Sequence, residues 1–255
     1  MSEDDFGART GAALVFGASG GLGAVIATML LDRGSRVAMT YRRPSAVVAK
    51  IASSHSSRAA SHQLDLTDAA ACSDVVAAVA GQFGAVHTVV YASGPHVPMV
   101  HISKVPQATF REQLEQDAVA FLNAVIPALP LLRASRGSLV AVTTAATTRF
   151  PVRDALSSIP KAAVEAAVRG IAAEEGRYGV RANCVGPGML TDGMADRLIS
   201  AGDLDERALD VARRSIPLRR FGTAGDVAEA VCFLASDRAS FISGQKLDVD
   251  GGYGV

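Results

Sequence analysis

Short apolar runs alternate with longer amphipathic or small-residue stretches from one end of the chain to the other. Residues 13–16 (ALVF) form a strand-length run that ends in glycines. Residues 22–31 are apolar on most faces and stop at Asp32-Arg33-Gly34, where the glycine suits the left-handed residue that closes a helix. Residues 36–41 (RVAMTY) read as the next strand and 46–52 as a helix. The Ser-rich stretch 53–61 predicts a loop, and 62–66 a short strand. Thr67 and Asp68 then suit the cap of a helix over 69–83, followed by a strand over 87–91.

The alternation continues to the end. Residues 110–133 predict a long helix that Pro127 and Pro130 bend or end. Strands are predicted over 138–143, 180–185 and 245–249, with helices over 161–175 and 224–234. Such a pattern predicts an α/β fold, a parallel sheet with helices on both faces. No long linker or repeat divides it, so residues 1–255 read as a single doubly wound domain. Ligands of such folds bind beyond the carboxyl ends of the strands, where the strand order reverses.

Composition narrows the partners. Hydrophobic residues make up 49% of the 255 residues, enough for a sizeable core. Lys plus Arg and Asp plus Glu balance at 25 each, which argues against nucleic acid or an anionic membrane as the main partner. Cys72, Cys184 and Cys232 are far apart, with no CxxC or Cys/His cluster, so neither a disulfide framework nor a metal site is suggested. The acidic start MSEDDFGART has no signal-peptide pattern, and no uninterrupted apolar run approaches a membrane span. The expectation is a cytoplasmic location.

The sharpest motif is GASGGLG, residues 17–23, between the first strand and the first helix. Gly17 allows a tight exit from the strand, Gly21 lets backbone approach a pyrophosphate, and Gly23 lets the helix sit close on the sheet. Phosphates then rest on the helix N-terminus, where free N–H groups and the dipole favour anions. Ser19 and Leu22 complete that turn. The glycines alone also fit an ordinary tight turn; their place in a strand–turn–helix unit favours a nucleotide.

The spacing Gly-x-x-x-Gly-x-Gly resembles that of the short-chain dehydrogenase/reductase family, a Rossmann-type fold, and the resemblance covers nearly the whole chain. HQLDLTD (62–68) is similar to the family's adenine-side strand, which implies roles for Asp65 and Leu66. Ala92 and Gly94 lie in YASG, where the family has its own motif after the fourth strand. VRANCVGPGML (180–190) resembles the turn beside the nicotinamide, implicating Pro187, Gly188 and Leu190. Residues 219–252 match the family's C-terminal quarter most specifically. The second strand ends in Tyr41-Arg42-Arg43, with no acidic residue to hold the ribose hydroxyls of NADH. The arginine pair can face a 2′-phosphate, so NADP(H) is the expected cofactor, although a solvated pair reads the same.

The family's site uses Asn, Ser, Tyr and Lys. The resemblance implies that Lys161 holds the nicotinamide ribose. Its tyrosine stands four positions earlier, where this chain has Ser157; the serine position is Thr144, and the asparagine position is Asp117. A variant branch places its tyrosine seven positions before the lysine, and that residue is Asp154. Lys161, Thr144, Ser157 and Asp117 are therefore the candidate catalytic residues, with the proton donor open. Tyr91, at the end of the fourth strand, either packs beside the cofactor or takes part. His96 and His101 either line the substrate pocket or cap a surface loop.

Small apolar residues surround the helix after Lys161: Ala162, Ala163, Val164, Ala166, Ala167, Val168 and Ile171. One side needs the sheet and the other a second cover, so a homo-oligomer, a dimer or tetramer, is expected. Residues 191–214 read as a substrate lid or as a plain surface helix pair; Met189, Leu190, Met194, Leu198 and Ile199 suggest an apolar small-molecule substrate. Three functions stay open: an NADPH-dependent ketoreductase with an unusual proton route, a nucleotide-binding sensor or assembly subunit without catalysis, and a non-redox isomerase or cyclase in the same pocket.

Overall fold

The computed structural model describes residues 4–191 and 206–255. Among them, seven strands form one wholly parallel sheet in the order β3-β2-β1-β4-β5-β6-β7. The strands are β1 (Ala12–Phe16), β2 (Arg36–Tyr41), β3 (Ala59–Gln63), β4 (Val86–Tyr91), β5 (Ser138–Val142), β6 (Arg181–Pro187) and β7 (Lys246–Val249). Parallel strands need covering on both faces, and β1, β4 and β5 are buried at every position. One core layer joins Leu14, Tyr91, Phe121 and Val164; the other joins Val15, Ile26, Val185 and Val231.

The helices are α1 (Gly21–Asp32), α2 (Ala46–Ser54), α3 (Ala69–Phe83), α4 (Gln107–Leu114), α5 (Ala120–Val125), α6 (Leu129–Ser135), α7 (Ala155–Glu175), α8 (Glu206–Ser215) and α9 (Ala224–Ala235). Asp68 caps α3 by accepting from the Ala71 amide, as its position suggested. Thr223 and Asp226 form a capping box on α9.

Three expectations are corrected. The third strand begins at Ala59, so the Ser-rich stretch supplies three of its five residues and Asp65 lies beyond its end. As a short edge strand β3 carries polar residues and leaves no apolar alternation to read. The long helix starts at Gln107 and is interrupted twice, by a π turn over Glu115–Val119 and a 3₁₀ turn over Ile126–Ala128 that takes up Pro127. By length and composition the run Gln107–Ser135 could cross a membrane, but Phe121, Ala124, Val125 and Leu132 are built into the core beneath the sheet. Finally, α7 begins at Ala155 rather than at residue 161, so Pro160 lies inside it. That proline removes one bond to the Leu156 carbonyl. Within one chain α7 is covered on one side only: Val164 and Val168 are buried, whereas Ala162, Ala163 and Ala166 are exposed.

At the amino ends of the strands, Phe6 stacks on His87, with ring centroids 6.0 Å apart. Burial, aided by the positive Arg9 and Arg36, pushes the His87 imidazole down to about 4. An unfolded chain takes that proton near pH 6.5, so stability is lost as pH falls through the interval down to about 4. The loss attributable to His87 is about 3 kcal/mol. Melting curves between those pH values should show the decline, and His87→Gln should flatten it.

Candidate active site

The sheet order reverses between β1 and β4, whose last residues, Phe16 and Tyr91, are paired. The chain leaves β1 through Gly17, with φ at +85°, and leaves β4 through Ala92 and Ser93. The two exits nearly touch: a Cβ on Gly17 would stand 2.8 Å from the Ser93 Cα. Gly23 is equally constrained, since a Cβ there would stand 2.4 Å from the Gly17 carbonyl oxygen. Gly20 caps α1 with no side-chain hydrogen bond, so the first amides of the helix face outward. This is a cradle that fits a dinucleotide pyrophosphate.

Other predicted cofactor residues border the same end of the sheet. Ser19 and Gly21 are exposed, and Leu22 is half-buried. Tyr41 ends β2; Arg42 and Arg43 follow it exposed, without an ion pair among the described residues. Asp65 accepts from the Thr67 amide at 3.0 Å and its hydroxyl at 2.8 Å, and these bonds, the amide's first, hold its carboxyl below the usual range. The Leu66 carbonyl accepts from Asn123 Nδ2 at 3.1 Å, a contact across to α5 that sequence reasoning missed. At the end of β6, Pro187 is buried and the Gly188 amide bonds the Val249 carbonyl at 3.0 Å. Leu190 makes an isolated parallel bridge with Gly222. Most of the proposed lid, including Met194, Leu198 and Ile199, lies outside the described residues.

Lys161 projects from α7 toward the β4 exit. Its ammonium donates to the Ser93 carbonyl at 3.0 Å and to Asp117 Oδ1 at 2.9 Å. The Lys161 side chain is 11% exposed and that of Asp117 4%, so this is a buried ion pair and not a solvated carboxylate. The π turn carries Asp117. Tyr91 seals the arrangement: its hydroxyl donates to the Asp117 carbonyl at 3.0 Å, and its ring lies 5.5 Å from Lys161 Nζ. Burial first, and then the Asp117 charge, push the Tyr91 phenol well above its usual range. Tyr91 is thus a packing and anchoring residue, committed to a backbone carbonyl. Gly94 leaves room for the ammonium, which would stand 3.4 Å from a Cβ there.

Thr144 Oγ1 accepts from the Ala146 amide at 3.1 Å, which leaves its own proton free to donate. Ser157 is half-buried, with no side-chain partner among the described residues. Sequence reasoning also passed over the neighbouring pair: Ser158 Oγ donates to Asp154 Oδ2 at 2.6 Å. His96 and His101 are exposed; the His96 carbonyl accepts from Gln113 Nε2 at 3.0 Å. All three cysteine thiols are buried and pushed up, to about 11 or 12, which makes them poor nucleophiles.

Two cavities lie elsewhere. One of about 570 Å³, lined by Arg9, His87 and Arg136, sits at the amino ends of the strands. The other, of about 470 Å³, includes Ala155, about a third of a turn around α7 from Lys161, and Ile159, nearly on the opposite face.

The profile of the family described as Enoyl-(Acyl carrier protein) reductase matches residues 17–254. The chain belongs to the short-chain dehydrogenase/reductase family. It is 30% identical to the 3-oxoacyl-(acyl-carrier-protein) reductase of Staphylococcus aureus, over 95% of this chain and 98% of that protein. It is 32% identical to the cis-4-hydroxycyclohexanecarboxylate dehydrogenase of Sinomonas cyclohexanicum, over 94% and 95%. A short-chain type dehydrogenase/reductase of Mycobacterium ulcerans superposes with a TM-score of 0.88 at 26% identity, covering 96% of this chain and 90% of that one. Members of this family use nicotinamide cofactors, bind small-molecule substrates and commonly form oligomers, and the glycine cradle fits such a cofactor.

Removing one member of the Lys161–Asp117 pair strands the other charge. Asp117→Ala should cost about 3 kcal/mol in urea unfolding, and Asp117→Asn less, because it keeps an acceptor. Replacing both, as Lys161→Met with Asp117→Asn, should recover much of that loss.

Proposed function

We propose that this chain is an NADP(H)-dependent ketoreductase of an apolar or cyclic carbonyl substrate, working without a tyrosine proton donor. One observation carries the reading: Lys161 is held at the β4 exit, beside the glycine cradle, with its ammonium fixed by Ser93 and Asp117. A nicotinamide bound there supplies a hydride.

The residues of this chain supply the rest. Lys161 holds the ribose hydroxyls and keeps positive charge near a developing alkoxide. Thr144, with its amide-fixed oxygen, donates its hydroxyl proton in a hydrogen bond to the carbonyl oxygen. Ser157 occupies the place of the family's tyrosine and orients the same oxygen, though a serine hydroxyl is a poor acid. Hydride positioning survives this substitution, since proximity contributes more than general acid catalysis, which is worth about 10²–10⁴ in rate. Arg42 and Arg43 are exposed and make no close ion pair among the described residues, although Arg42 acts on the Asp65 charge from farther off; they support a 2′-phosphate and hence NADP(H). The cyclic substrate class draws on the cyclohexane-acid relative and on Met189 and Leu190 at the β6 exit. The exposed alanines of α7 support a homo-oligomer, a dimer or tetramer, in which a second copy covers them. A cytoplasmic location remains part of this proposal.

Fluorescence titration should show tighter binding of NADPH than NADH. Arg42→Ala with Arg43→Ala should erase about a tenfold preference or more, the worth of a charge-assisted hydrogen bond. The near-ultraviolet absorbance of NADPH should fall on adding 4-oxocyclohexanecarboxylate or an acetoacetyl thioester. Binding without oxidation of the nucleotide by either would defeat the reductase reading.

A further inference from the structure

The reductase reading leaves the proton unassigned, and α7 carries a carboxyl suited to the task. Asp154, Ser157, Ser158 and Lys161 stand at positions i, i+3, i+4 and i+7, so all four share one face of the helix. Asp154 is about 10 Å from Lys161 along the axis, with the serines between them. The Asp154 carbonyl accepts from the Ser157 amide at 3.1 Å and the Ser158 amide at 2.8 Å, so the helical spacing extends to it. Its side chain does not cap the helix. Oδ2 accepts from Ser158 Oγ, and Oδ1 has no partner among the described residues. The loop that follows β4 comes to this point, through a bond of 3.2 Å from the Val100 amide to the Arg153 carbonyl. The turn after β5, which carries Thr144, reaches it through Ser158 and the Ala146 carbonyl.

Resting on the reading above, we propose that Asp154 is the general acid of this site, giving its proton to the substrate oxygen. As the hydride of NADPH forms the new C–H bond, the carbonyl π pair moves to oxygen. That oxygen takes the proton from the Asp154 carboxyl, which becomes a carboxylate. NADPH is oxidised and the ketone reduced to an alcohol; water reprotonates the carboxylate between turnovers, since Asp154 is only half-buried.

The environment keeps the proton available. Burial raises the carboxyl above its usual range, and the Ser158 hydrogen bond opposes that; no charged residue contributes. The charged and titratable groups on the surrounding elements are Arg153 beside it, Lys161 and Glu165 farther along α7, Asp117 on the π turn, Arg149 on the turn after β5, Arg111 and Glu112 on α4, and His96, His101 and Lys104 on the β4 loop. Ser157 is the contact that orients the oxygen, and Ser158 is a positioning residue acting through Asp154.

Asp154→Asn tests this with two independent readouts. Because the folded carboxyl is raised, its ionisation opposes folding: the penalty is absent below the unfolded value of about 3.9 and complete above the folded one. The Asn variant should therefore melt higher than the wild type at neutral pH, with the gain vanishing in acid. It should bind NADPH unchanged and reduce 4-oxocyclohexanecarboxylate or the acetoacetyl thioester about 100-fold more slowly. Reduction by the wild type should fall as pH rises through the Asp154 pKa. Asp154→Asn should abolish that limb, and Ser158→Ala, which removes a bond favouring the anion, should move it to higher pH. Wild-type turnover that Asp154→Asn leaves unchanged would overturn this assignment and leave the reductase reading intact. A wild type that binds NADPH and reduces neither probe would overturn both.

Discussion

A lysine ammonium out of water must meet a counter-charge, and much of this site follows from that requirement at Lys161. Asp117 provides the charge, and it does so from a helix that an uninterrupted α pattern does not describe. The π turn over Glu115–Val119 carries this carboxylate, between the helical segments on either side. Tyr91 fixes the turn by its carbonyl, and Ser93 takes a second ammonium proton. Three elements, β4, the π turn and α7, thus meet at one cation. The close approach of Gly17 to Ser93 ties that meeting point to the nucleotide cradle.

The sheet was legible because burial on both faces forces apolar runs, and every buried strand was found within two residues of its limits. The edge strand β3 was not, because an edge needs no apolar alternation. Prolines misled in two ways. Pro160 stands just before the predicted helix over 161–175, yet α7 starts five residues before it and tolerates it. Pro127 falls in a 3₁₀ turn that keeps the helical run almost continuous. The candidate site residues Lys161 and Asp117 were implied by the resemblance to the family, but nothing in the sequence announced that they pair. The bond between Ser158 and Asp154 escaped notice for the same reason. A hydrogen bond between neighbours on a helix has no signature beyond their separation, and serine and aspartate are common on exposed faces.

The catalytic question changes character once Tyr91 is accounted for. A phenol at the end of β4 invites a role in proton transfer, but its hydroxyl is committed to a backbone carbonyl and its ring to the core. Acid chemistry then falls to the face of α7, where hydroxyls and carboxylates follow one another at helical spacing. A carboxylic acid raised by burial and a lowered phenol are different ways of supplying a proton to the same oxygen.

Lys246 lies in the edge strand β7, and its ammonium reaches Thr147 Oγ1 at 2.5 Å, Thr148 Oγ1 at 2.8 Å and Asp248 Oδ1 at 2.9 Å, with Glu165 of α7 at 3.6 Å. Gly186 makes room for this knot: a Cβ there would stand 2.2 Å from Asp248 Oδ1. An outermost strand would ordinarily open first and alone in native-state exchange. Here its opening tears polar bonds out of the helix that carries Lys161 and the turn that follows Thr144. The C-terminal strand and the catalytic helix therefore belong to one cooperative unit, and fraying at the chain's end is felt at the place where substrate would bind.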